Sequence, residues 1–142
     1  MPPGHPYAWS VLDEAVRLAR LHESRQESLA RSEKLSRARW EVLRAVGEGR
    51  TVPHIARQLG IARQSVQRVA DLLAESGLIR FDSNPAHRRS AIVRTTEEGS
   101  RLRDRLDRKT HGWEQAVEEL VESEDLETAL VVLRAMGSAL ER

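Results

Sequence analysis

The chain contains no cysteine in 142 residues. This excludes disulfides, thiolate metal sites and cysteine-based redox sensing. No run approaches the roughly 20 apolar residues that a membrane-spanning helix requires. Met1 to Pro6 is proline-rich, with neither a charged start nor an apolar stretch, so it does not read as a signal peptide. A soluble, cytoplasmic protein is expected. There is no glycine-rich phosphate loop, no cysteine nucleophile and no close Ser/His/Asp set in a strand-turn-helix context, so no catalytic residue is assigned and no enzyme is expected. The five histidines lack local ligand spacing. His54 and His87 fall in the central segment, whereas His5, His22 and His111 could meet only in three dimensions. Neither a metal nor another cofactor is expected. Lysine is almost absent too, with only Lys34 and Lys109 among 23 basic residues.

What is present is an uneven charge. The formal net charge is only +1, which by itself says nothing about nucleic acid. Residues 1–50 carry 9 basic and 7 acidic side chains, residues 51–96 carry 7 and 3, and residues 97–142 carry 7 and 12. The positive charge is therefore concentrated at the centre, as a footprint for phosphate would be. Arginines that merely solvate helix faces would give no such regional asymmetry.

The centre also has the most definite pattern. A chain of this length is read as one domain, 1–142, with a core of its own. Tyr7 to Arg31 is helical by apolar spacing, with Leu12, Ala15, Val16 and Ala19 on one face. Ser36 is placed to cap a second helix, with Leu35 and Trp40 as a hydrophobic staple, and Gly47-Glu48-Gly49 ends it. Thr51 can cap a third helix that tolerates Pro53 in its first turn. Gly60 ends that helix and Ile61 is expected to plug the turn. A fourth helix, about Arg63 to Ser76, buries Val66, Val69, Leu72 and Leu73. This leaves Gln64, Ser65, Gln67 and Arg68 outside the apolar stripe, near the N-terminal end, where a recognition helix needs polar groups. Leu78–Asp82 and Ala91–Thr95 read as two strands around a loop from Ser83 to Ser90 that carries Arg88 and Arg89. Thr96 caps a long helix with Leu102, Leu106, Trp113, Val117 and Leu120 at near-heptad spacing. Ser123 is expected to cap a last helix with Leu126, Leu130, Leu133 and Leu140. The terminal helices carry too much apolar surface for a peripheral hairpin and read as an association surface.

Several short motifs recur in one order: L-S-x-x-R-W-x-V-L at Leu35 to Leu43, I-A-x-x-L-G-I at Ile55 to Ile61, and S-V-Q-R-V at Ser65 to Val69. L-x-E-S-G-L-I follows at Leu73 to Ile79, then P-x-H-R-R and V-R-T-T-x-E-G. With these residues the chain resembles the MarR family of bacterial winged helix-turn-helix regulators. The resemblance covers nearly the whole chain in element order, with recognisable motifs from about Leu35 to Leu106. It implies a mainly α fold with a small β-wing: a winged helix-turn-helix over 35–96, with dimerisation helices at 7–31 and 97–142. It also implies a homodimer bound to a pseudo-palindromic operator in double-stranded DNA, usually as a repressor released by a small ligand. Three positions depart from the family pattern. Ala62 stands where a polar cap is usual, His87 replaces a wing Asp, and Thr95-Thr96 replaces Leu-Thr. If the missing acid normally holds the wing arginine by a charge pair, the second departure predicts a more mobile wing.

Each candidate residue has a use and a plainer alternative. Gln64, Ser65 and Gln67 are expected to face base edges, since a Gln amide can donate to and accept from one adenine. Arg63 and Arg68 suit guanine or phosphate; an ion pair of Arg68 with Asp71 or Asp82 is the alternative. Arg89, with Arg88 beside it, is expected to enter the minor groove, and a solvated turn is its alternative. Trp9, Arg37, Arg39 and Trp40 could line a pocket for an aromatic or anionic effector, although Trp more often packs in a core. Leu12, Val16, Leu106, Trp113, Leu126, Leu130 and Leu133 are candidates for the dimer contact. A winged helix used as a protein-interaction or scaffold module, with no operator of its own, is the reading from a different class. An apolar recognition face would favour it, and Gln64, Gln67 and Arg68 oppose it.

Overall fold

The computed structural model describes Gly4 and residues 6–142. The readings that fall on Met1 to Pro3 and on His5 lie outside the described residues. Among the described residues, six helices and three short strands follow in the order α1 (Ala8–Ser32), α2 (Arg37–Val46), β1 (Arg50–Thr51), α3 (Val52–Leu59), α4 (Arg63–Glu75), β2 (Ile79–Asp82), β3 (Ile92–Thr95), α5 (Glu97–Leu120) and α6 (Ser123–Leu140). This is the mainly helical fold with a small wing that the residue pattern predicts.

Local chemistry sets the boundaries. Ser36 Oγ accepts from the Arg39 backbone N–H at 3.2 Å, satisfying a free donor in the first turn of α2. Leu35 and Trp40 are both buried, as a staple requires. Thr51 Oγ1 accepts from the His54 N–H and starts α3. Gly60 ends α3 at φ +67°, in the left-handed region where glycine has no Cβ penalty. Ala62 precedes α4 without a side-chain cap bond. At the start of α5, Thr96 Oγ1 accepts from the Gly99 N–H at 3.1 Å and donates to the Gly77 carbonyl at 2.6 Å.

The sheet differs from the expected two-stranded ribbon. It has three antiparallel strands in the order β1-β3-β2, with Arg50 opposite Val93 and Phe81 opposite Val93 on the other side. β1 has only two residues, too few to show a period of two, so patterning could not reveal it. Three arginines anchor the turn between α2 and β1. Arg50 donates to the Ala45 carbonyl at 3.1 Å, Arg103 to the Gly47 carbonyl at 3.2 Å and Arg94 to the Glu48 carbonyl at 2.5 Å. They satisfy acceptors that the end of a helix leaves without intrahelical partners.

The chain divides into two compact units, one ending at Leu106 and one spanning Asp107–Arg142, with α5 crossing the boundary. In the first unit the core joins Trp40, Leu43 and Val46 of α2, Ile55 of α3, Val66 and Leu73 of α4, Val93 of β3 and Leu102 of α5. Three expectations are corrected here. Ile61 is 44% exposed rather than plugging the turn; its N–H bonds back to the Ala56 carbonyl while its side chain stays outside. Leu106 is 0% exposed and part of this core, so it is not free to face a second copy. Ser123 is the first residue of α6 and not its cap; Glu122 holds that position without a side-chain bond. In the second unit, α6 buries no residue. Among the described residues no helix is long and apolar enough to cross a membrane.

Candidate nucleic-acid interface

α3 and α4 form the helix-turn-helix, and α4 packs against α2 and α3 through Val66, Val69, Ala70 and Leu73. With that stripe turned inward, Arg63, Gln64, Ser65, Gln67 and Arg68 are all exposed. The exposed side of α4 is thus wholly polar over its first two turns. The wing loop between β2 and β3 presents Arg88 and Arg89, also exposed. Asn84 Oδ1 shapes this loop by accepting from the Ala86 N–H at 3.1 Å, an Asx turn ahead of the two arginines. A cleft of about 490 Å³ lies between α4 and the wing, and Arg63, Gln64, Gln67, Asp71 and Arg89 all line it. Gln64 of α4 and Arg89 of the wing, 25 positions apart in sequence, are therefore brought to one cleft.

The electrostatics of that surface follow from which charges are already paired. Asp82 on β2 takes two arginines, Arg80 at 3.1 Å and Arg94 at 3.2 Å. Asp71 accepts instead from Gln67 Nε2 at 2.8 Å. Arg68 pairs with neither acid. Arg63, Arg68, Arg88 and Arg89 make no side-chain hydrogen bond or ion pair among the described residues, which leaves four exposed guanidinium groups available to an anion. The acid missing at His87 is consistent with unpaired wing arginines. Asp82, which sequence reading treated only as an alternative partner of Arg68, proves to be the acid that stiffens the base of the wing. Its two-residue spacing to Arg80 is plain in the sequence, but its cross-strand relation to Arg94 becomes visible only once the strand register is known.

Of the four residues considered for an effector pocket, Trp40 is corrected. Trp40 is 1% exposed, closed inside the core with Arg44 over its ring at 5.5 Å, and so cannot line an open pocket. Trp9 lies near the start of α1 and is 77% exposed. Arg37 is paired with Glu23 at 3.3 Å and Glu41 at 3.7 Å, while Arg39 lies half-buried on the same helix. Among the described residues no group of three His, Cys, Asp or Glu side chains could hold a metal ion.

Comparison with known proteins agrees with this geometry. The MarR family model matches residues 34–90, the span from just before α2 to the wing. Over these residues the winged helix is similar to the MarR family. The MarR-family fold extends beyond the matched span. A MarR-family transcription regulator of known structure superposes with a TM-score of 0.84 at 20% identity, covering 94% of this chain and 89% of that one. A mutant MarR from E. coli, solved with operator DNA, superposes with a TM-score of 0.73 at 14% identity, covering 93% and 98%. In sequence, an uncharacterized protein of Mycobacterium tuberculosis is 40% identical over 93 residues, 65% of each chain. The match thus spans less than two thirds of that relative's length.

Proposed function

We propose that this chain is a MarR-type, sequence-specific, DNA-binding transcriptional regulator that acts as a homodimer on a pseudo-palindromic site. The observation that carries the reading is the set of exposed, unpaired arginines Arg63, Arg68, Arg88 and Arg89, of which Arg63 and Arg89 line one cleft with Gln64 and Gln67. Phosphate contacts by arginine supply most of the affinity, and amide and hydroxyl groups at the tip of α4 supply base contacts. α4 enters the major groove by its N-terminal end, and the wing places Arg89 at the adjoining minor groove. The E. coli neighbour solved with operator DNA supports this placement by likeness of fold.

The whole chain, 1–142, acts as one functional unit in this reading. The helices outside the winged helix serve association, and α6 offers the surface for it. Two copies of α4 spaced about 34 Å apart would meet successive turns of one duplex. The regulator is read as a cytoplasmic repressor, released by an aromatic or anionic small molecule. Burial of Trp40 removes that residue from the effector's site. The polar outer face of α4 gives no support to a scaffold module without an operator.

The test is selection of bound sequences from random duplexes at several salt concentrations. A sharp inverted repeat is expected. A steep salt dependence without sequence preference would mean generic binding and would overturn the proposal. Arg89→Ala should then weaken binding to the selected site about tenfold, and lower the salt slope by about 1 if the guanidinium meets phosphate. Its melting temperature should be unchanged, because Arg89 is exposed and unpaired. An unaltered titration curve would remove the wing from the interface.

A further inference from the structure

We propose that Asp71 is a specificity-determining residue that acts by holding the amide of Gln67 in one orientation. The inference rests on the DNA-binding reading above and adds a residue to it. Gln67 and Asp71 are one turn apart on α4, both exposed, and both line the cleft between α4 and the wing. Gln67 Nε2 donates to Asp71 Oδ1 at 2.8 Å.

A glutamine amide has two N–H donors and one carbonyl acceptor, and a half-turn about its last bond exchanges them. A free glutamine at a groove therefore offers either arrangement. An ionised carboxylate only accepts, so Asp71 admits one of the two: Nε2 toward the acid, Oε1 away from it. The second N–H and Oε1 stay available, with their order fixed. Adenine presents an N7 acceptor beside an N6 donor in the major groove, and this is the pair that such an amide satisfies. Held this way before contact, Gln67 meets adenine without first sorting its orientation, and a base with the reverse order meets a mismatch.

The charge context makes an unassisted role for Asp71 a poor explanation. It is one of three acids in residues 51–96, and Asp82 is engaged by Arg80 and Arg94. Asp71 shares the cleft with Arg63 and Arg89 yet pairs with neither. A carboxylate on a phosphate-facing surface repels DNA. Its effect on overall affinity is thus unfavourable, and its effect on base choice is favourable.

Site selection from random duplexes with the full chain, using wild type, Asp71→Ala, Gln67→Ala and the double variant, tests the assignment. Asp71→Ala should flatten preference at the same base position as Gln67→Ala, by about tenfold, within what a bidentate base contact discriminates. The double variant should be no broader than Gln67→Ala alone. Asp71→Glu, which still accepts from Gln67, should restore most of the preference. Affinity of Asp71→Ala for an unrelated duplex should hold or rise. An unchanged motif in Asp71→Ala overturns the proposal. So does loss of preference at a different position that adds to the Gln67→Ala effect, since Asp71 would then read a base itself. A wild type without any motif fails the DNA-binding reading and this inference together. A folding defect common to all variants would appear in melting curves, and none is expected because both side chains are exposed.

Discussion

Gly99→Ala is expected to destabilise the protein by about 3 kcal/mol or more, the upper range of overpacking effects. Gly99 is buried in the first turn of α5, where the helix lies against the backbone leading into β2. A Cβ at this position would stand 1.9 Å from the Leu78 carbonyl oxygen and 2.9 Å from its carbon. Backbone cannot move aside as the end of a flexible side chain can. The same carbonyl accepts from the Thr96 N–H at 3.0 Å, and the Thr96 hydroxyl links Gly77 to Gly99, so any shift disturbs the whole start of α5. Thermal melting followed by circular dichroism should show a drop of roughly 10 °C, given about 2–8 °C per kcal/mol for domains of this size class. Gly112, in the same helix, has nothing within 4 Å of a built Cβ. Gly112→Ala should instead gain up to about 1 kcal/mol, from helix propensity alone. If Gly99→Ala melted with the wild type, the close packing of α5 on Leu78 would be wrong.

Gly99 also shows what the sequence could and could not reveal. V-R-T-T-x-E-G marks a helix start through Thr96 and its acids, and the structure has both. That the glycine is needed for contact with a carbonyl 21 residues earlier is a tertiary fact with no local signal. The helices were legible because their apolar residues recur at intervals of three and four and because Ser36, Thr51 and Gly60 act on neighbours within a few positions. β1 escaped because its two residues join the sheet only through Val93 and Ile92, far along the chain. Ile61 misled because an apolar residue after a Gly cap often folds inward, yet here it stays outside. At the candidate interface, residue type and helix face were enough to expect Gln64, Ser65, Gln67 and Arg68 outside the core, and all four are exposed. The pairing of charges was not legible. Asp71 and Asp82 are both candidate partners of Arg68 by sequence, but Asp82 pairs with Arg80 two residues before it and, through the register of β2 on β3, with Arg94.

The second large effect is expected from Leu130→Glu combined with Leu133→Glu on α6. Both leucines are exposed, along with Leu126, Val131 and Val132 on the same helix. Contiguous apolar surface of this kind marks an association site on a soluble protein. In the proposed dimer two buried carboxylates would have no partners at such a contact, so the two copies should separate. The measured mass in sedimentation should fall toward the 16.1 kDa of one chain. Affinity for the selected inverted repeat should fall by about 100-fold or more, because the second half-site then loses its intramolecular advantage. Helix content of the first unit should persist, since neither residue belongs to its core. Leu106→Asn separates the two effects. Leu106 is wholly buried within one chain, so its replacement should lower the melting temperature of the winged helix by removing core packing, about 2–5 kcal/mol for truncations of this kind. An α6 double variant that remained dimeric and bound its site with full affinity would show that α6 is not the association surface. The spacing of two recognition helices would then have to be set elsewhere in the chain.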